Sequence, residues 1–221
     1  MDEQRPMVST AETLRTALEK GLDPNLIFYG RTFLMRFAQT GPLECVRLLL
    51  DRGADLHAQD RTGSTAIWGA AGNGQLATVQ LLLEHGAQIN TPDQKGDTVL
   101  MLACRNGEEE QEHFPAVVCL LLQWGAEVNA CDEDGWTALT WASAVRHAAI
   151  VRTLVEQGAD LNPATDYGLT PLIWAVRGRS RAIVELLVER GADRYLRDKQ
   201  ERTAYDWACE NAFEEVKVLL S

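Results

Sequence analysis

The sequence predicts an all-α solenoid in which helix-turn-helix units stack one on the next, because two independent markers recur at a nearly constant interval. A glycine ends each Leu-rich run, and its copies are Gly21, Gly53, Gly86, Gly125, Gly158 and Gly191. A threonine stands near the start of each unit, and its copies are Thr32, Thr65, Thr98, Thr137, Thr170 and Thr203. Both series advance by 32 or 33 residues per unit and once, in the third unit, by 39. Regular periods of this length indicate stacked repeats.

The first helix of each unit is expected to begin at its threonine, whose hydroxyl oxygen can accept hydrogen bonds from the free amides of the first turn. Pro171 follows Thr170 and suits the first helical position, where a missing N–H costs nothing. Small side chains in these helices predict that neighbouring helices approach closely. They include Ala70, Ala71, Ala103, Ala142 and Ala175.

The second helix of each unit carries an aliphatic stripe, as in residues 184–188. It ends at the recurring glycine, which suits the left-handed position just past a helix. One such pair of helices cannot bury its apolar faces alone. Stacking buries them, which explains why the unit recurs.

These residues resemble the ankyrin repeat, whose signature is T-P-L-H-x-A and whose period is 33 residues. The resemblance covers the chain from about Thr10 to Leu220. It implies that each loop extends as a β-hairpin finger and that fingers and first helices line a concave groove that binds a protein.

Two departures from the signature affect the details. Its His is absent, and the residues in its place are Met35, Trp68, Met101, Thr140, Ile173 and Asp206. The glycine of the turn between the helices is present at Gly41, Gly74 and Gly107, but the later units carry Arg146, Arg179 and Ala212. Side chains at these three positions put the left-handed turn in question.

The expected organisation is a frayed segment at 1–8 and a single domain at 9–221. The domain divides into a cap half-unit at 9–27, units at about 28–60, 61–93, 94–132, 133–165 and 166–198, and a cap half-unit at 199–221. Ser9 and Glu12 have the spacing of a capping box for the first helix. In the last half-unit, Glu201 replaces the finger glycine, and the final helix is expected to turn Glu214 and Glu215 outward.

The charge and the cysteine content of the chain limit which partners, membranes and metal sites are expected. The 32 acidic and 21 basic residues give a net charge of −11, which repels nucleic acid and anionic membranes and favours a partner with a basic surface. The longest apolar run, 116–122, is too short to cross a bilayer, and no leader segment is recognisable. Five cysteines without a C-x-x-C pair predict neither a disulfide framework nor a zinc site. We therefore expect a monomeric cytoplasmic protein without cofactor or metal.

One position in each unit, just before the first Ala of the signature, changes character along the chain. Its residues are Arg36, Gly69, Leu102, Trp141, Trp174 and Trp207. The resemblance places this position in the groove, with Trp136 and Tyr167 near the finger tips and Arg177 close by. Two interpretations stay open: these side chains are interface anchors, or the indoles cover the joints between adjacent first helices.

The long third unit contains an acidic insertion at 108–113, with Glu108, Glu109, Glu110, Glu112 and His113. An inverted zinc motif H-x-x-E-H would need His at 109, where the chain has Glu. We interpret the insertion as a solvated loop, and a contact for a basic partner is the alternative.

The predicted function is a protein-protein interaction module, in the form of an adaptor or an inhibitor of a basic protein. The alternative is a structural scaffold that uses its ends or its convex face. No nucleophile with a base and no phosphate-binding glycine loop is recognisable, so we do not expect an enzyme.

Overall fold

A computed structural model of the chain describes residues 8–106 and 113–221, and the predicted all-α solenoid is confirmed there. The helices are α1 (Ala11–Glu19), α2 (Phe33–Thr40), α3 (Leu43–Asp51), α4 (Ala66–Gly72), α5 (Leu76–Glu84), α6 (Val99–Asn106), α7 (His113–Gln123), α8 (Ala138–Ala144), α9 (Ala148–Glu156), α10 (Pro171–Arg177), α11 (Arg181–Glu189), α12 (Ala204–Glu210) and α13 (Glu214–Leu220). One hairpin joins β1 (Ile27–Phe28) to β2 (Arg31–Thr32). Within the described residues, no helix is long and apolar enough to cross a membrane.

The helices form two layers. An inner layer contains α2, α4, α6, α8, α10 and α12, each packed on the next, and an outer layer contains α1 and the remaining odd-numbered helices. The core lies between the layers, where Leu34, Leu49, Leu139 and Leu172 are almost fully buried. Each helix pair therefore buries its apolar side against its neighbours in the stack.

The threonine caps form as expected, with one exception. In four units and in the C-terminal half-unit, the threonine Oγ1 accepts a hydrogen bond from the backbone amide three residues later; the threonines are Thr32, Thr98, Thr137, Thr170 and Thr203. Thr65 makes no such bond, although α4 begins directly after it.

The capping box of the first helix is not formed by Ser9 and Glu12, so that expectation is wrong. Thr10 is the N-cap, with an extended backbone, and its Oγ1 accepts from the amide of Thr13 at 3.2 Å. Thr13 Oγ1 accepts in return from the amide of Thr10 at 3.1 Å. A second threonine thus takes the part expected of the glutamate, and the helix begins one residue later.

The turn between the two helices keeps its left-handed geometry in the later units despite the loss of glycine. Arg146, Arg179 and Ala212 have φ of 64°, 56° and 50°, beside 67° for Gly74. The residue after each turn donates its amide to an alanine carbonyl of the preceding helix, as His147 does to Ala142 at 2.9 Å. These bonds offset a left-handed cost of about 1–2 kcal/mol per residue. Gly41, in contrast, has φ −85° and ends α2 with an extended backbone.

The fingers are tight turns rather than hairpins after the first unit, apart from a single bridge between Cys131 and Thr137. An aspartate closes most of them, because one of its carboxylate oxygens accepts from the amides two and four residues later. These aspartates are Asp60, Asp93, Asp132 and Asp198. In the remaining finger, Thr165 Oγ1 accepts from the amide of Leu169.

Successive fingers are joined by backbone hydrogen bonds from one tip to the next. The pairs are Gln94 N to Thr62 O, Glu133 N to Lys95 O, Asp166 N to Asp134 O and Lys199 N to Tyr167 O, at 2.8–3.1 Å. The finger glycine makes this approach possible: a Cβ atom on Gly168 would lie 2.9 Å from Cα of Asp198. Glu201, which takes the place of the finger glycine in the last finger, adopts the same left-handed backbone, with φ 61°.

Two of the expected regions lie wholly or mainly outside the described residues. They are the frayed segment, except for residue 8, and the acidic insertion, except for His113, which is exposed at the start of α7. At the other end, Val216 and Leu220 of α13 are buried, while Glu214 and Glu215 are exposed as expected.

Replacing Gly168 by Ala should cost more stability than replacing Gly191. Both glycines are left-handed, with φ of 74° and 90°, but no atom lies within 4 Å of a Cβ built on Gly191. Gly191→Ala should therefore lower the free energy of unfolding by about 1–2 kcal/mol through backbone strain alone. Gly168→Ala should add about 1–3 kcal/mol for the clash with the next finger. Urea denaturation measures both, and equal losses would show that the finger contact does not constrain the stack.

Candidate binding groove

The inner-layer helices place three indoles in one row. Trp141, Trp174 and Trp207 each lie four residues after the capping threonine, so the repeat sets them side by side on α8, α10 and α12. Each is half-buried, whereas the alanine that follows it is fully buried against the neighbouring helix. The row therefore borders the helix packing and is still partly exposed to solvent.

Trp136 in the fourth finger joins two of these rings. Its indole stacks on Trp141, with ring centroids 3.9 Å apart and planes 20° apart, and lies 5.0 Å from the ring of Trp174. The indole nitrogens of Trp141 and Trp174 are buried, and no hydrogen-bond partner for them is found among the described residues. The rings are thus held in place by contacts with one another and not by hydrogen bonds of these two indole nitrogens.

Three arginines contact the rings of this row: one lies against two of the indoles, and the other two lie at its ends. The guanidinium carbon of Arg177 lies 4.5 Å from the Trp174 ring centroid and 4.6 Å from that of Trp207. Arg202 lies 3.8 Å from the Trp207 ring, and Arg105 lies 5.1 Å from the Trp141 ring. We call these seven residues the Trp-Arg row: Arg105, Trp136, Trp141, Trp174, Arg177, Arg202 and Trp207.

The structure thus brings together five of the six residues singled out in the sequence. Tyr167 is the exception: it is 65% exposed at a finger tip, and its ring stacks on no other ring among the described residues. Arg105 and Arg202 were missed. A signal for Arg202 existed, since it fills the position between the finger glycine and the threonine, where Trp136 stands in the fourth unit.

Two of the three arginines in the row form ion pairs with acidic side chains of the protein itself. Arg202 contacts Asp198 at 2.9 Å and Glu210 at 3.3 Å, and Arg105 contacts Asp97 at 3.1 Å. Burial acts to raise the pKa of Asp198, but hydrogen bonds from Arg202, from the Trp207 indole and from the Gln200 amide outweigh it, so the pKa lies below its usual value. This carboxylate is charged and fixes the orientation of Trp207.

The pKa of Asp97 is raised, whereas that of Asp198 is lowered. Burial raises its pKa, the Arg105 guanidinium counteracts this, and the neighbouring carboxylates of Asp93 and Asp132 raise it further. One of its oxygens, Oδ1, is buried without a hydrogen-bond partner among the described residues. Asp97 therefore takes up a proton more readily than an ordinary aspartate.

Two cavities lie in the N-terminal half of the face that the fingers and inner helices form. A cavity of about 430 Å³ lies between fingers and inner helices, with Asp60, Trp68, Gly69 and Arg105 among its lining residues. A second cavity, of about 480 Å³, lies at the N-terminal end. Its aromatic lining comprises Phe28, Tyr29, Phe33 and Phe37. The apolar stretch 26–29, in a loop that is polar in other units, was an unused sequence signal for this cavity.

Comparison with known proteins agrees with this architecture. A family model described as ankyrin repeats (3 copies) matches residues 34–130, 110–198 and 166–221. A search of the curated proteins found no match.

Replacing Asp198 by Asn should destabilise the protein in a pH-dependent way. At neutral pH the loss of charge-assisted bonds from Arg202 and Trp207 should cost about 1.5–3 kcal/mol of unfolding free energy. Because the pKa of Asp198 is lower in the folded state, its contribution is present above the usual value of 3.8 and fades as pH falls through the folded value. The difference between the two proteins should therefore shrink below about pH 4.

Chemical denaturation at several pH values tests this, with Asp166→Asn as the matched control. Asp166 is an exposed aspartate at a finger tip, so the control makes the same change of charge. A cost of Asp198→Asn that is constant with pH, or that the control reproduces, would contradict the assigned role.

Proposed function

The chain belongs to the ankyrin-repeat family, and from that premise we propose that it holds a segment of a protein partner against the Trp-Arg row. Ankyrin repeats are protein-protein interaction modules and are typically not catalytic, so we assign no reaction to the chain. The observation that carries the proposal is the row itself, in which Trp136, Trp141, Trp174 and Trp207 are all half-buried. Tryptophan and arginine are, with tyrosine, the side chains enriched among interface anchors.

The rigidity of the row favours binding. Trp136 is stacked on Trp141, and Arg177 is held between two rings, so these side chains lose little rotamer freedom when a partner arrives. The finger-to-finger hydrogen bonds hold the backbone of the groove in the same way. A preformed surface of this kind suits an adaptor or an inhibitor that captures a segment of another protein.

Charge around the row suggests the character of that protein. Glu133, Asp134 and Asp166 are exposed on the fingers beside the row, with Lys199 as a basic neighbour on the next finger. Together with the net charge of −11 they support a partner whose surface is basic. The same net charge disfavours self-association, which supports a monomer.

We further propose that the protein works in the cytoplasm and acts as one body, with five units between the two caps. Its five cysteines are free, and Cys45 and Cys104 are buried. Burial raises the pKa of the Cys104 thiol, which keeps it protonated and unreactive. Free thiols in this number fit a reducing compartment.

Trp174→Ala should weaken the complex with a partner captured from a lysate of the source cells and then purified. Loss of the indole should cost about 2 kcal/mol or more in binding, or roughly 30-fold in Kd. The matched control is Trp124→Ala, since Trp124 is 47% exposed just after the outer helix α7. Isothermal titration, at a temperature where circular dichroism shows both variants folded, measures the difference. If Trp124→Ala weakens binding and Trp174→Ala does not, the chain is a scaffold that uses its outer face.

Charge on the fingers should govern how fast the complex forms. Glu133→Gln combined with Asp134→Asn should slow association several-fold at low salt and leave dissociation nearly unchanged, because exposed charges act at long range. Asp51→Asn combined with Glu189→Gln makes the same change of charge at the ends of two outer helices and should have a smaller effect. Stopped-flow measurements at increasing salt should show the variants converging. Association that speeds up when the finger acids are removed would exclude a basic partner.

A further inference from the structure

We propose that Arg177 binds the carboxylate of one acidic side chain in the partner segment, and that an apolar residue about four positions away packs on Trp141. This inference rests on the proposed function, since it names the chemistry that the Trp-Arg row recognises. The partner as a whole is then basic, and one acidic residue of its bound segment contacts Arg177.

Two indoles lie against the guanidinium group of Arg177. Its guanidinium carbon is 4.5 Å from the ring centroid of Trp174 and 4.6 Å from that of Trp207. An arginine that stacks on aromatic rings keeps the N–H donors at the edge of its planar group free for hydrogen bonds. These donors form a fork that matches the two oxygens of a carboxylate.

Arg177 differs from its two neighbours in the row by having no acid of its own. Arg202 is paired with Asp198 and Glu210, and Arg105 with Asp97. Within residues 8–106 and 113–221, no ion pair and no side-chain hydrogen bond involves Arg177. The side chain is half-buried, so its charge is partly removed from water and its donors are uncommitted. A carboxylate of the partner would give Arg177 the acidic partner that Arg105 and Arg202 already have.

A carboxylate fits this place better than a phosphate. Glu133, Asp134 and Asp166 are exposed nearby, and the whole chain carries a net charge of −11. A phosphate group bears close to two negative charges, and a single arginine would have to offset the repulsion of both. A carboxylate bears one charge, and one bidentate contact satisfies it.

The spacing of the partner residues follows from the spacing of the units. Trp141 is on α8, and the Arg177 guanidinium lies at the joint of α10 and α12, about one and a half helix spacings further along the row. Packed helices lie about 8–10 Å apart, so the two places are about 12–15 Å apart. An extended chain advances about 3.3 Å per residue, so side chains that reach the two places are about four residues apart.

The test is a selection from a library of random peptides of about 12 residues, enough to cross the row in an extended conformation. Peptides selected on the unaltered protein should carry Asp or Glu about four residues from an apolar residue. Arg177→Gln should weaken the best peptide about 10- to 100-fold, the range expected for a charge-assisted pair. Arg152→Gln is the matched control, because Arg152 is exposed on the outer helix α9 and the change of charge is the same; it should have no effect.

A second arm does not depend on any change in the protein. Replacing the acidic residue of the peptide by its amide should weaken binding to the unaltered protein as much as Arg177→Gln does. Combining the two changes should add little, because they remove the same contact. Arg177→Lys, which keeps the charge and loses the planar fork, should recover only part of the affinity.

Several outcomes would overturn the inference. Peptides that require Trp174 but bind Arg177→Gln as well as the parent would refute the carboxylate contact and leave the proposed groove intact. Tighter binding when phosphoserine replaces the acidic residue would identify the site as one for phosphate. A selection with no peptide dependent on Trp174 would refute the inference together with the groove.

Discussion

The stack depends on close approach between neighbouring units, and small residues stand where their backbones meet. The inner helices touch through Ala70, Ala103, Ala142, Ala175 and Ala208, all fully buried. The fingers touch through glycines, since a Cβ on the finger glycine of the fifth unit would lie 2.9 Å from the next backbone. A single helix pair has no core of its own, so these contacts decide whether the chain folds at all.

Two positions of each unit determine much of what the face of fingers and inner helices presents. One follows the finger glycine, and the other precedes the buried alanine. In the first three units these positions line the two cavities and carry mixed side chains: Arg31, Ser64, Asp97, Arg36, Gly69 and Leu102. In the fourth and fifth units and the C-terminal half-unit, four of the six positions are tryptophan: Trp136, Trp141, Trp174 and Trp207. The surface therefore becomes more aromatic toward the C-terminal end, although the backbone repeats.

Charge in the groove is arranged differently from charge on the whole molecule. The chain is strongly acidic, yet its aromatic row is interleaved with Arg105, Arg177 and Arg202. Asp97 and Asp198 neutralise two of these arginines at short range. The net charge acts on a partner at a distance, whereas the choice of bound side chain depends on contacts of a few ångströms.

The sequence by itself determined the all-α solenoid, the recurring threonine caps and the left-handed helix ends at glycine, because each depends on local residue types repeated at one interval. It also indicated the aromatic row, since equivalent positions of a repeat lie side by side. It did not reveal that Thr10 replaces Ser9 as the first cap, that Arg146 and Arg179 keep a left-handed turn, or that Tyr167 stands apart. Nor did it show which arginines are paired with an acid. Those features depend on distances between side chains of different units, and only the tertiary structure brings these side chains together.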